Sequence, residues 1–161
     1  MSTNSRLGLR LEDGSILSVY HHWDGYPEWL GVTLNQQYNT REAIAELIDG
    51  GNMSCCWTQS GWEIEDEEQL KGLPYQPLYY TERGESLEDN APKISKDETQ
   101  YLVDTDKCCG EFAYIFELNN TWRCVSIDFW NEETKGFLDK PEYNERTIPA
   151  DYPNPEDLKV A

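Results

Sequence analysis

The stretch YHHWDGYPEWLG, Tyr20–Gly31, marks the point where the predicted structure changes from strand to helix. The residues before it, SILSVYH (15–21), are rich in types that favour β-strands. Pro27 suits the first turn of a helix, where the missing N–H leaves no hydrogen bond unmade. The stretch therefore predicts a corner between a sheet and a helix that covers it.

A β-hairpin is predicted before this corner. Apolar and polar residues alternate along SRLGLRLE (5–12), and Asp13-Gly14 separates this run from residues 15–21. Asp-Gly between two strand-forming runs is a strong signal for a two-residue hairpin turn. Pairing about such a turn places Leu9 opposite Ser18.

Two helices are predicted after the corner, over about 27–38 and 41–49. Apolar residues recur there every three to four positions, which gives each segment one apolar face. Asn39 or Thr40 is the predicted cap of the second helix, and Gly50-Gly51 ends it.

The rest of the chain predicts further strands, with a loop over 84–96 and a second hairpin turn at Asn119-Asn120. A short strand that runs into a turn is predicted within 53–62, and further strands are predicted at 77–82, 100–105, 111–118 and 121–129. The fold class is therefore α+β. It has a mostly antiparallel sheet of about five or six strands and the helix pair (about 27–38 and 41–49) on one side.

Length and composition predict a single α+β domain of residues 1–130. The chain has 161 residues, of which 38% are hydrophobic and 12% aromatic, enough for one modest core. Residues 131–161 contain four prolines and many charges, and we predict a Pro-rich acidic tail there that is extended or disordered.

The charge balance limits the partners. With 31 acidic and 13 basic residues the net charge is −18, which argues against direct nucleic-acid binding and against anionic membranes. It favours a protein partner with a basic surface. The acidic segments 63–68, 82–89 and 132–145 are the predicted contact surfaces, and imitation of DNA charge is a narrower form of the hypothesis.

The cysteines and the N-terminus predict an intracellular protein without a metal site. The polar beginning of the chain is unlike a signal peptide and no apolar run is long enough to span a bilayer, so we predict a cytoplasmic location. The cysteines occur as Cys55-Cys56, Cys108-Cys109 and Cys124, without the C-x-x-C spacing of zinc sites. No metal and no cofactor are predicted.

The candidate ligand-binding residues are His21, His22, Asp24 and Tyr26. A strand-to-helix loop with histidines can bind an anion at the helix N-terminus, and a histidine beside a carboxylate can act as a base or bind a metal. Asp24 is itself anionic, which weakens the anion hypothesis, and no motif for a catalytic nucleophile is present. The remaining interpretation is structural: the aromatic residues fill the corner, and Gly25 supplies a positive φ.

The core of this stretch, His22-Trp23-Asp24-Gly25-Tyr26-Pro27, resembles a motif near the start of small proteins of bacteriophages and some bacteria. The phages include the large tailed phages of cyanobacteria. The likeness extends over residues from about 5 to 50. It implies a viral or accessory gene, whose product would work in the host cytoplasm, and it implies no reaction.

The sequence thus predicts a phage-type accessory protein, an acidic non-enzymatic module that binds a host protein. The alternative is a small anionic ligand or nucleotide-binding protein, or a weak hydrolase, that uses the loop of His21, His22, Asp24 and Tyr26. The partner, the oligomeric state and the strand order do not follow from the sequence.

Overall fold

The computed structural model describes residues 2–56 and 77–153, which form one sheet with helices on both faces. The strands of the described residues are β1 (Ser5–Arg10), β2 (Ile16–His21), β3 (Met53–Cys55), β4 (Leu78–Tyr79), β5 (Lys93–Ser95), β6 (Phe112–Phe116), β7 (Trp122–Asn131) and β8 (Gly136–Arg146). Their α-helices are α1 (Val32–Gln37), α2 (Arg41–Asp49) and α3 (Glu98–Lys107).

The sheet confirms the predicted α+β class. Its strand order is β4-β3-β2-β1-β6-β7-β8. The short strand β5 lies on the same edge of β2 as β3: β3 pairs with β2 at His21, and β5 pairs with it at Ile16–Ser18. The pairs β1–β6 and β2–β3 are parallel and the others are antiparallel. The described residues contain eight strands rather than the predicted five or six, because several strands are only two or three residues long.

The first hairpin forms as predicted, but its register differs by one residue. Leu9 lies opposite Leu17, not Ser18, because the loop has three residues and ends at Gly14 with φ +90°. The N–H of Leu11 donates to the carbonyl of Ser15 at 2.8 Å and closes the loop. Glycine in the left-handed region is typical of three-residue hairpin loops. The longer loop places leucines of both strands on one face.

The helix pair forms as predicted and covers this apolar face. A π-helical turn, Pro27–Gly31, leads directly into α1. Thr40 caps α2, since its side chain accepts a hydrogen bond from the N–H of Ala43 at 3.1 Å. The core on this side includes Leu7, Leu9, Val19, Leu30, Leu34, Ile44, Leu47, Ile48, Tyr114 and Phe116.

The prediction of a strand at 100–105 is wrong, because these residues lie in α3. The helix begins after Asp97, whose carboxylate accepts a hydrogen bond from the N–H of Gln100 at 2.8 Å. Tyr101 and Leu102 are buried on the face of the sheet opposite α1 and α2. The Tyr101 hydroxyl donates to the carbonyl of Tyr114 at 2.7 Å and fixes α3 on the sheet.

The other intermediate segments are shorter than predicted or lie outside the described residues. The short strand predicted within 53–62 is β3, while the turn after it from residue 57 and the acidic segment 63–68 lie outside the described residues. The strand at 77–82 is the short β4, followed by a 3₁₀ turn at Tyr80–Arg83. The predicted loop 84–96 contains β5 and a second 3₁₀ turn at Glu88–Asn90.

The second hairpin joins β6 to β7 through a three-residue loop in which Asn120 has φ +64°. Residues after 130 do not form the predicted extended or disordered tail as far as Arg146. They form β8, which pairs with β7 and extends the sheet beyond the predicted domain end. Tyr152, further along, stacks on Trp29 at 5.9 Å and so holds residues after β8 against the helical face. Residues 154–161 lie outside the described residues.

Candidate functional site

The strand-to-helix corner is held by backbone hydrogen bonds on both sides. The N–H groups of His22 and Trp23 donate to the carbonyls of Met53 and Ser54 at 3.2 and 3.0 Å, so the chain continues alongside β3 after β2 ends. These bonds fix the position of both residues independently of any ligand.

The turn itself depends on Asp24 and Gly25. Asp24, not Gly25, adopts the positive φ, at +48°. A Cβ atom on Gly25 would lie 2.8 Å from the carbonyl oxygen of Thr3 and 2.9 Å from the Ser5 hydroxyl oxygen. The Tyr114 hydroxyl donates to the Gly25 carbonyl at 2.6 Å. Glycine is therefore needed for close backbone approach, and the aspartate makes the turn.

His21 belongs to the core. Its side chain is fully buried, and its Nε2 accepts a hydrogen bond from the N–H of Cys56 at 3.1 Å. Burial, with a smaller effect of neighbouring His22, lowers the pKa of His21 to about 3. A neutral imidazole inside the core joins β2 to the chain after β3 and has no surface for a ligand.

His22 lies at the surface and is oriented by a tyrosine. Its Nδ1 shares a hydrogen bond of 2.7 Å with the Tyr20 hydroxyl, and the edge of its ring packs on Trp23 at 4.6 Å. Partial burial, together with the charge of Arg83, lowers the pKa of His22. The hydrogen bond that orients the imidazole comes from Tyr20 rather than from Asp24.

Asp24 and Tyr26 complete the predicted set. Asp24 is exposed, and its side chain receives no hydrogen bond from the described residues. Tyr26 is 43% exposed, and its ring packs against Phe112 at 5.8 Å, away from the Tyr20–His22 pair. Ligand binding by these residues stays a prediction.

An open cleft of about 1110 Å³ lies beyond the start of β6. One wall is formed by Tyr26 and by residues from the end of α3 to the start of β6, between Asp106 and Phe112. The other is the ribbon formed by the end of β7 and the start of β8, Asp128–Glu142, which we name the arm. The cleft thus lies where β7 continues past its neighbour β6.

Carboxylates and aromatic rings line this cleft, with one basic side chain, Arg146. The acidic residues are Asp106, Glu111, Asp128, Glu132, Glu133, Glu142 and Glu145, and the aromatic ones are Tyr26, Phe112, Phe129, Trp130 and Phe137. Arg146 is already paired with Asp128 at 3.1 Å. Glu145 is paired with Arg123 and Glu132 with Lys135. The other lining carboxylates, Asp106, Glu111, Glu133 and Glu142, have no ion-pair partner among the described residues, so the cleft keeps an excess of negative charge.

Three aromatic residues of the arm are exposed. Phe129 and Trp130 are each 40% exposed and Phe137 is 84% exposed, while the rings of Trp130 and Phe137 meet edge to face at 5.1 Å. Adjacent exposed aromatic rings are typical of binding surfaces. Sequence reasoning identified the acidic segment 132–145 but missed the cleft, because β8 lacks an alternating apolar pattern.

The described residues contain no cluster of three or more histidine, cysteine, aspartate or glutamate side chains placed to bind a metal ion. Among the described helices, each is too short or too polar to cross a bilayer. The five cysteines form no disulfide bond within the described part of the chain. Cys55, Cys56 and Cys124 are buried, as expected of small apolar side chains.

No family model, curated protein or solved structure matches this chain. The resemblance of the His22–Pro27 motif to phage proteins therefore stays a prediction.

Proposed function

We propose that the protein is a non-enzymatic module that binds a basic segment of another protein in the cleft beside the arm. The observation that carries this proposal is the lining, in which seven acidic residues and five aromatic residues border an open cleft of about 1110 Å³. Lysine and arginine side chains combine an apolar stem with a cationic head, so they suit such a surface. If the gene is a phage gene, the partner is a host protein.

The charge of the whole chain supports the same kind of partner. A net charge of −18 attracts a basic surface over long range and accelerates its association. The exposed rings of Phe129, Trp130 and Phe137 then supply the short-range contact that charge alone lacks. The cleft thus gives a specific docking place to an otherwise diffuse attraction.

Two double variants with the same net charge test the location of the site. Glu111→Gln with Glu142→Gln removes two charges from the cleft. As the control, Glu42→Gln with Glu46→Gln removes two exposed charges from α2, whose residues do not line the cleft. With an alternating lysine–valine peptide as probe, the cleft variant should lose about tenfold in affinity, or roughly 1.4 kcal/mol. The control variant should lose much less.

Equal losses in the two variants would contradict the proposal, because the attraction would then be diffuse. Fluorescence anisotropy at about 50 mM and 300 mM salt gives the affinity and its ionic dependence. Imitation of DNA charge is the narrower form of the hypothesis. It predicts that duplex DNA competes with the protein and releases a partner bound in the cleft. If the lysine–valine peptide releases the partner and duplex DNA does not, imitation of DNA charge is excluded.

The alternative of an anionic ligand at His21, His22, Asp24 and Tyr26 has no specific observation in its favour. His21 is buried in the core, and His22 bonds to Tyr20.

A further inference from the structure

Among the described residues, the inner edge of β7 has no strand partner along the arm. On the side of the cleft, the β6–β7 ladder ends at the first residue of β6, Phe112, which lies opposite Ser126. One more hydrogen bond joins the N–H of Ile127 to the carbonyl of Glu111 at 2.9 Å. From Asp128 to Asn131, β7 pairs with β8 alone among the described residues. This free edge borders the cleft.

The backbone groups on that edge can be identified from the alternation of hydrogen bonds along a strand. The register shift in the β7–β8 pairing puts its extra residues on β8, because Phe137–Glu142 of β8 lies opposite only Asp128–Trp130 of β7. The alternation along β7 that starts from the N–H of Ile127, which faces β6, therefore predicts that the N–H and carbonyl groups of Phe129 and Asn131 face the same side. They therefore face the cleft. An extended segment placed in line with β6 would continue the antiparallel ladder from Ile127 to Asn131, a distance of about 14 Å along the strand.

The two outer edges of the sheet are less suited to strand addition. The outermost strand, β8, contains Lys140 and Pro141, residues that oppose pairing with another strand. The opposite edge strand, β4, has only two residues. The inner edge of β7 has neither proline nor lysine and has exposed Phe129 and Trp130 side chains.

We propose that the partner binds as an extended segment with lysine or arginine side chains, which adds as a strand to the free edge of β7 at Asp128–Asn131. This inference rests on the proposed function and specifies its mode of binding. Backbone hydrogen bonds to Phe129 and Asn131 hold the segment, while alternate side chains meet the carboxylates of Glu111 and Glu142 and the rings of the arm. The cleft provides the room, and its charge selects a basic segment rather than an acidic one.

Backbone methylation of the probe tests strand addition without changing the protein. Three versions of the lysine–valine peptide are compared: unmodified, N-methylated at the odd positions, and N-methylated at the even positions. A strand that pairs along one edge uses only one of these two sets of N–H groups. One methylated peptide should therefore lose tenfold or more in affinity and the other should bind like the unmodified peptide.

Hydrogen exchange of the protein amides gives the second readout. Saturating unmodified peptide should slow exchange at Phe129 and Asn131 at least tenfold, with no change at Ile16, an amide in β2 far from the cleft. Equal affinities or equal losses for the two methylated peptides, without protection at Phe129 and Asn131, would overturn strand addition. If Glu111→Gln with Glu142→Gln still weakens binding in that case, the proposed function stands. If it does not, the proposed function falls as well.

Discussion

At the scale of single residues, the burial of His21 has a consequence for stability. The folded protein holds this imidazole neutral, with a pKa of about 3 against an ordinary value of 6.5. As the pH falls below about 6.5, the unfolded chain binds a proton here and the folded chain does not. The contribution to stability is therefore complete above pH 6.5 and is lost progressively between pH 6.5 and 3.

We expect His21→Gln to flatten the acid limb of the stability curve. Below about pH 6, proton binding to His21 in the unfolded chain lowers the free energy of unfolding by up to about 1.4 kcal/mol per pH unit. Glutamine binds no proton, so the variant lacks this loss. Urea unfolding at pH 7, 6, 5 and 4 measures the difference in slope between the variant and the native chain. His22→Gln is the matched control, because His22 is only partly buried. Equal slopes in His21→Gln and the native chain would show that His21 titrates normally.

The neighbouring corner shows how far sequence reasoning reached at this scale. The position of the corner and the role of Pro27 were predictable, because proline and turn residues have local preferences. The division of labour between Asp24 and Gly25 was not, since both residue types tolerate a positive φ. Only the nearness of the Thr3 carbonyl, a tertiary contact, assigns glycine to its place.

At the scale of elements, the sequence pattern of α3 wrongly predicted a strand at 100–105. Its segment contains Tyr101, Val103 and Thr105, types that favour strands. Burial of Tyr101 against the sheet and the cap at Asp97 outweigh those preferences. A helix with weak intrinsic preference depends strongly on its cap and its packing.

We therefore expect Asp97→Ala to destabilise the protein by about 1 kcal/mol, because the N–H of Gln100 loses its partner. Asp97→Ser is the matched control: a serine hydroxyl accepts the same bond, so most of the stability should return. Guanidinium unfolding gives the free energies. A loss of equal size in both variants would mean that the charge of Asp97, rather than its capping bond, stabilises the helix.

The hairpins show the same limit at the level of loops. Asp13-Gly14 and Asn119-Asn120 located both turns, but each loop has three residues instead of two. Loop length sets the register, so the local signal gave the hairpin without its pairing. The sequence of β8 did not predict a strand. Most of its side chains are exposed, so neither face of the strand requires alternating apolar residues.

At the scale of the whole molecule, an ionic network opposes a general repulsion. Arg10 and Arg123 each contact Glu98 and Glu117, at 2.6 to 3.0 Å, and so join β1, α3 and the β6–β7 hairpin. The hydrogen bond from Arg123 lowers the pKa of Glu98. Burial acts in the opposite direction, and a hydrogen bond from Arg10 lowers the pKa further. The network thus stabilises the fold above the ordinary pKa of a glutamate and weakens as the pH falls through the lowered value.

Against this network stands a net charge of −18, and most acidic side chains within residues 2–56 and 77–153 are exposed. Two like charges 10 Å apart in water repel by about 0.4 kcal/mol, and the chain has many such pairs. Raising the salt from about 10 to 200 mM shortens the screening length from about 30 Å to below 10 Å. It should therefore raise the free energy of unfolding by on the order of 1 kcal/mol, because exposed repulsion is screened more than the partly buried ion pairs. Urea unfolding in sodium chloride measures this, and sodium thiocyanate at equal ionic strength should act alike if screening is the cause. A fall in stability with salt would show instead that the network around Arg10 and Arg123 outweighs the repulsion.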